Sequence, residues 1–437
     1  MKLQSILVAD IQVSDRQRRE PDPDKLAELA ASIDANGLIQ PIVVRKDDGE
    51  IRLVAGGRRL QALDYVWNLG GRVRCGTQEF AEGHAPCLYL GDIDPLEAFE
   101  IELDENIKRE DLSWQDRSRA VSQLAELRRL QAQKAGQPPP SLNEIAVEAY
   151  PNTPSVSYAS TETRQDLILA RNLDDPDVAK ARTADEGFKI LKRKEEARRS
   201  VALGESVGRT FSAKDHTLVH GNCLEWLEVA SPEQFDVILT DPPYGINAEE
   251  FNDSGGKASG GHEYDDSFDN WIALITSFSA LSFRVAKPQS HLYVFCDVDN
   301  FLHLRSIMGN AGWNCFRTPL VWHNPSSQRA PWPQSGPLRR YQLCLYATRG
   351  NRPVLKLQPD VLTYASDQNV GWSAQKPVAL FKDLLNRSCR AGDSVLDSFC
   401  GSGSIFPAAH ELKVRATGIE LDPTAYGISV KRLGGLK

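Results

Sequence analysis

Across residues 218–437, short apolar runs alternate with segments of helical period. FDVILT (235–240), HLYVFC (291–296), TPLVWH (318–323), YQLCLYAT (341–348), SVLDSF (394–399) and RATGIEL (415–421) have strand length and are rich in β-branched, aromatic and aliphatic residues. WIALITSFSALSFRVA, FLHLRSIMGNAG, KPVALFKDLLNRS and PTAYGISVKRL repeat apolar residues every three or four positions, which predicts helices. Strands alternating with helices predict a doubly wound, Rossmann-like α/β sheet. The run Val237, Ile238, Leu239 reads as a strand buried on both faces.

The amino-terminal pattern differs. DKLAELAASIDANGLIQPIVVRKDDGEIRLVAGGRRLQAL (24–63) predicts an amphipathic helix, a strand Ile42–Arg45, a turn at Asp47–Glu50, a strand Ile51–Ala55 and a helix opened by Gly56, Gly57, Arg58 and Arg59. This is a smaller α+β domain. QAQKAGQPPP (131–140) reads as a linker, and SLNEIAVEA (141–149), a PNTPS turn and SVSYASTETRQDLILARNL form either a helix-turn-helix or a plain bundle. In the first case Ser157, Thr161 and Arg164 share a reading face. A charged helix, KILKRKEEARRS (189–200), leads to a second linker near 201–216. The expected organisation is 1–130, 141–200 and 216–437.

Composition narrows the class. At 437 residues, with 41% hydrophobic and 25% charged residues, the chain is globular and holds two or three domains. No apolar run is long enough to span a bilayer, and MKLQSILVADIQ lacks a signal-peptide pattern, so a cytoplasmic protein without a membrane partner is expected. Eight cysteines lie singly without a C-x-x-C pair, which suggests neither a disulfide framework nor a zinc site, and no metal is expected in the carboxyl-terminal domain. A net charge of −8 requires any nucleic-acid footprint to be local.

The chemistry gathers at strand ends. Asp241, Pro242, Pro243 and Tyr244 follow the strand 235–240, at the carboxyl edge where open α/β sheets place ligands. Alone, the motif fits a rigid turn equally well. In SVLDSFCGSGSIFPAAH the next such edge carries Asp397, Phe399, Gly401 and Gly403 before a helix starting near Ser404, a loop whose amides can approach a nucleotide-type cofactor. The following strand ends in Glu420, where an acid commonly holds ribose hydroxyls.

D-P-P-Y followed by D-x-F-x-G-x-G resembles the amino-methyltransferases of DNA, and that order is the one found in their β group. The resemblance covers roughly Leu218 to the end. It implies S-adenosylmethionine as cofactor, double-stranded DNA as partner and methyl transfer to a flipped-out base, with adenine N6 the first expectation and cytosine N4 the alternative. It also assigns roles. Asp241 and the Pro242 carbonyl would accept hydrogen bonds from the target amine, Pro243 would fix that carbonyl, and Tyr244 would stack on the base. Phe399, Gly401 and Gly403 would shape the cofactor pocket and Glu420 would hold the ribose. Gln375, Lys376 and Pro377 resemble the segment that faces the cofactor's methionine carboxylate. Asn222 stands where the family usually has an acid on the cofactor's adenine ring, and its amide would keep that contact by accepting from the exocyclic amine and donating to a ring nitrogen; His323 and Gln342 stand where relatives carry lysine and glutamate. The loop 248–271 is expected to be a lid. NPSSQRAPWPQSGPLRR (324–340) occupies the target-recognition position, with Gln328, Arg329, Trp332, Arg339 and Arg340 as DNA contacts.

GLIQPIVVR, Gly56–Arg59 and ENIKREDLSW resemble ParB-type partition proteins, a domain that binds a nucleotide, often CTP with magnesium. The candidate residues are Gly56, Arg58, Arg59, Glu105, Asn106 and Arg109; the family's G-E-R-R is here Gly56–Gly57–Arg58–Arg59. The alternative is a domain that only docks DNA or a partner. The fusion resembles phage and prophage proteins, leaves a homodimer open, and has as its non-enzymatic rival a DNA clamp with a vestigial methyltransferase half.

Overall fold

All six residues of the strand Phe235–Thr240 are buried, as a strand covered on both faces must be. It pairs in parallel with Ala286–Cys296 on one side and Ser394–Asp397 on the other. These strands belong to a computed structural model that describes residues 3–13, 23–47, 49–91, 94–107, 112–153, 155–246, 267–327, 338–367, 372 and 375–437. The chain divides into two units, Met1–Ile190 and Leu191–Lys437, with the helix Ala184–Val207 carrying it across the division.

In the carboxyl-terminal unit the sheet continues from Ser394–Asp397 to Arg415–Glu420 and His216–His220, all parallel, and from Ala286–Cys296 to Tyr341–Arg349 and Leu320–His323, both antiparallel. Side chains alternate across it from Val237 onward, after the register shift that separates Phe235 from Val237. Val237 and Leu239 join one apolar cluster with Leu380, Phe381, Ile405, Phe406 and Leu433, whereas Phe235 and Ile238 join another with Trp271, Ile275, Phe278 and Leu304. Helices therefore cover both faces, and the expected doubly wound architecture forms. Because the chain leaves 235–240 toward one face and 394–397 toward the other, a crevice opens where the two strands end.

Two elements depart from the pattern reading. The strand Ala286–Cys296 begins well before residue 291, because a register shift lets Phe235 pair with Ala286 ahead of the regular ladder from Val237. A hairpin of Thr210–Ala213 and His216–His220 adds the sheet's far edge, so the sheet takes in residues before 216. Its turn uses Lys214 and Asp215, both at positive φ, 51° and 65°. A two-residue turn of that kind normally advertises itself by Asn-Gly or Asp-Gly, and Lys-Asp gives no such signal.

The amino-terminal unit has a five-stranded sheet containing Ile42–Asp47 and Glu50–Ala55, with Ile42, Val44, Leu53, Leu60 and Leu63 in its core. The same unit forms the two helices Leu142–Ala149 and Val156–Ala170, the first started by a reciprocal Ser141–Glu144 capping box. Ser157, Thr161 and Arg164 are exposed on the second. All eight cysteines are unpaired. Among the described residues no helix is long and apolar enough to cross a membrane.

Candidate active site

The two central strands are locked together at their ends. The Thr240 hydroxyl donates to Asp397 Oδ1 at 2.8 Å, and the Phe399 amide donates to both Thr240 Oγ1 and Asp397 Oδ1 at 3.2 Å. Asp397 is 1% exposed. Burial pushes its carboxyl up to about 7 against those hydrogen bonds, with the charges of Asp241 and Glu420 adding to the rise. Asp397 thus builds the floor of the crevice and fixes the start of the glycine loop.

Asp241 emerges just beyond this lock. Its Oδ1 accepts from the Tyr244 hydroxyl at 2.7 Å, and its Oδ2 pairs with the ammonium of Lys376. Gln342 Oε1 lies 3.2 Å from the Tyr244 oxygen, so the position expected to hold glutamate supplies a neutral partner to the motif. Asn300, 5% exposed, donates from Nδ2 to the Tyr244 carbonyl at 2.6 Å and to the Gly245 carbonyl at 3.5 Å. The turn is held at both ends. Asn300 was not among the residues expected from sequence, since it shares no motif with Asp241 and reaches the turn only through the adjacent strand.

On the cofactor side, Gly401 donates its amide to Glu420 Oε2 at 2.6 Å and Asp422 donates to Oε1 at 2.8 Å. Desolvation pushes the Glu420 carboxyl up to about 7 despite these amides. Gly401 and Gly403 both have positive φ, 52° and 73°. A Cβ at 403 would lie 2.7 Å from Ser429 Oγ, and one at 401 would lie 3.2 Å from Trp372 Nε1, so the loop is a cradle that side chains would fill. Phe399 packs edge-on against Phe278 with ring centroids 5.6 Å apart. Both polar atoms of the Gln375 side chain, and Ser398 Oγ, are buried without a partner among the described residues. Buried amides are normally paired, so this corner fits a polar ligand.

Lys376 and Pro377 occupy a different setting from the one expected. Pro377 is the N-cap of the helix Val378–Ser388, but the Val378 amide is taken by Asp367 Oδ2 at 2.8 Å. Lys376, expected to face a methionine carboxylate, puts its ammonium on Asp241, with the rings of Tyr244, Phe295 and Trp322 around the ammonium. Asn222 serves the local fold. Its Oδ1 accepts from Leu224 at 2.9 Å and caps the helix Cys223–Val229. Replacing it with Ala is expected to cost about 0.5–2 kcal/mol of stability, whereas Asn222→Asp keeps the cap; melting curves of the two variants check this.

Of the expected DNA contacts, Gln328, Arg329 and Trp332 lie outside the described residues, as does most of the loop 248–271. The carbonyls of Arg339 and Arg340 accept from Ser327 and Asn324, joining the two ends of the segment 324–340, and the Arg339 side chain is exposed. Trp322 is core, its indole donating to the Tyr364 carbonyl at 2.9 Å. In the amino-terminal unit Gly56 has φ 97° and precedes the helix Gly57–Asn68 beside a half-buried Arg58. Arg59 folds back onto the carbonyls of Gln40 and Pro41 at 2.9 and 3.0 Å, so at least part of its guanidinium serves the loop before strand Ile42–Asp47. Glu105 and Asn106 belong to the helix Pro95–Ile107, and Arg109 lies outside the described residues.

Comparison with known proteins agrees with this division. The family described as DNA methylase matches residues 235–431, and the ParB N-terminal domain matches residues 1–72. The type II methyltransferase M2.DpnII of Streptococcus pneumoniae is 24% identical over 238 residues, covering 49% of this chain and 88% of that protein. The putative methylase YubD of Escherichia coli (strain K12) is 27% identical over 221 residues, covering 50% of this chain and 90% of that protein. The chromosome-partitioning protein ParB of Myxococcus xanthus (strain DK1622) is 37% identical over 99 residues, which are 23% of this chain and 28% of that protein.

Proposed function

We propose that this chain, a DNA methyltransferase carrying a DNA methylase domain behind a ParB N-terminal domain, transfers a methyl group from S-adenosylmethionine to the N6 amine of adenine in double-stranded DNA. The observation that carries the reading is the Asp241 carboxylate, fixed at the end of a fully buried strand by Tyr244 and Lys376. The lone pair of an exocyclic amine is delocalised into its ring and is a poor nucleophile. Asp241 and the Pro242 carbonyl, both accepting from the amine, favour a tetrahedral nitrogen whose lone pair is free to attack. Pro243 fixes the backbone, so these acceptors need little reorganisation at the moment of reaction. The ring of Tyr244 is the platform for the extruded base.

The cradle of Gly401 and Gly403, the Glu420 carboxyl and the Gln375 amide, buried without a partner among the described residues, suit S-adenosylmethionine, which when bound supplies an electrophilic sulfonium methyl. Glu420 would receive the ribose hydroxyls, Gln375 would face the polar methionine end, and Phe399 would wall the pocket. In the amino-terminal unit the reading gives the ParB-like domain the task of holding DNA near the site, with CTP or another nucleotide and magnesium at the loop of Gly56 and Arg58. Sequencing DNA from cells that express the protein, with reads that distinguish N6-methyladenine from N4-methylcytosine, tests the assignment. N6-methyladenine at a short recurring sequence is the expected result. N4-methylcytosine would move the target to the other amine, and unmodified DNA from a folded, expressed protein would overturn the reading.

A further inference from the structure

Lys376 is poorly placed for a residue that serves only the cofactor. Its side chain is 6% exposed, and its ammonium donates to Asp241 Oδ2 and, at 3.3 Å, to the Tyr244 hydroxyl. The rings of Tyr244, Phe295 and Trp322 surround the ammonium with centroids 5.7, 5.3 and 5.8 Å away. Its backbone is pinned by the Ser404 hydroxyl, which donates to the Lys376 carbonyl at 2.7 Å. An ammonium has three N–H donors. Asp241 and Tyr244 take two, and the third meets no acceptor among the described residues.

We propose, resting on the methyl-transfer reading, that Asp241 and Lys376 form an acceptor–donor pair that selects the base: Asp241 accepts from the exocyclic amine while Lys376 donates to the ring nitrogen beside it. Adenine and cytosine both present an amine and an unprotonated ring nitrogen separated by one ring carbon. Their partners must therefore be neighbours, as these two ion-paired groups are. Guanine and thymine present a carbonyl next to a ring N–H. In the same pose they would set the carboxylate against a carbonyl and the ammonium against a donor, leaving buried groups unpaired. A donor on the ring nitrogen draws electron density from the amine, so Lys376 orients and selects the base and does not activate it.

The test uses the full chain and synthetic duplexes that carry the sequence found by methylation mapping, with either the natural target base or its deaza analogue, in which the ring nitrogen is replaced by C–H. Single-turnover methyl transfer by the wild type should fall about 10- to 100-fold on the analogue, the range for losing a hydrogen bond to a charged donor. Lys376→Met should methylate both duplexes at similar rates, with S-adenosylmethionine affinity unchanged. Comparing the two proteins removes the analogue's own reactivity. Lys376→Arg, which retains a donor, should keep the penalty. Equal wild-type rates on the two duplexes overturn the proposal, as does a penalty that survives in Lys376→Met. A merely structural lysine would lower the melting temperature and leave the ratio between duplexes unaltered. A wild-type protein that methylates no DNA removes the reading beneath the proposal, an outcome distinct from methylation indifferent to the ring nitrogen.

Discussion

Asp241→Ala is expected to slow methyl transfer by about 10²–10³-fold or more, the scale for removing one preorganised group that acts on the reacting atom. The network around it dictates how the experiment is built. Lys376 is almost buried and pairs with Asp241, so deleting the carboxylate strands an ammonium among aromatic rings. Such a change destabilises a protein for reasons unrelated to catalysis. Pairing Asp241→Ala with Lys376→Met removes both charges together. The double variant should melt higher than Asp241→Ala, bind S-adenosylmethionine, and remain as inactive as the single variant. A folded double variant that turned over at the wild-type rate would reduce Asp241 to an element of the turn.

Much of this site was readable because its parts are local in sequence. D-P-P-Y sits directly after an apolar run, and the glycine loop and Glu420 sit directly after two more, so finding the strands locates the groups. What stayed hidden is lateral. Asn300 reaches the Tyr244 carbonyl from beyond the neighbouring strand, and Gln342 reaches the Tyr244 hydroxyl from a strand whose register against Trp322 no pattern of apolar residues specifies. Lys376 shows the limit most clearly. Its segment was identified, yet the side chain had two carboxylates to choose between, one from the protein and one from the cofactor. A long flexible stem leaves that choice to the surrounding aromatic rings, which come from three separate stretches of chain. The hairpin Thr210–His220 was missed for another reason: Lys214 and Asp215 take left-handed backbone conformations without the usual glycine.

Glu420 carries the second large effect, and its protonation gives the effect a pH signature. In the folded protein its carboxyl is raised to about 7, whereas in the unfolded chain it has the ordinary glutamate value, so its contribution to stability is present at acid pH and is lost as pH rises through about 7. Cofactor binding runs the other way. In the proposed site the ribose hydroxyls would donate to the ionised carboxylate, so S-adenosylmethionine should bind more tightly as pH rises through the same range. Its affinity should fall by up to about tenfold per pH unit below it. Glu420→Ala should weaken binding by about 1.5–3 kcal/mol at about pH 8, the range for hydrogen bonds to a charged group, and by much less at about pH 6. The cofactor's own titrations are common to both proteins and cancel in the ratio of affinities. Asp397, whose carboxyl is also raised to about 7, loses the charge of Glu420 in the variant and so does not cancel; the size of the ratio at about pH 8, above both titrations, carries the assignment. Calorimetric titration of wild type and Glu420→Ala across this range separates the accounts: a ratio of the expected size at about pH 8 assigns the ribose to Glu420, and a ratio of one there assigns it elsewhere.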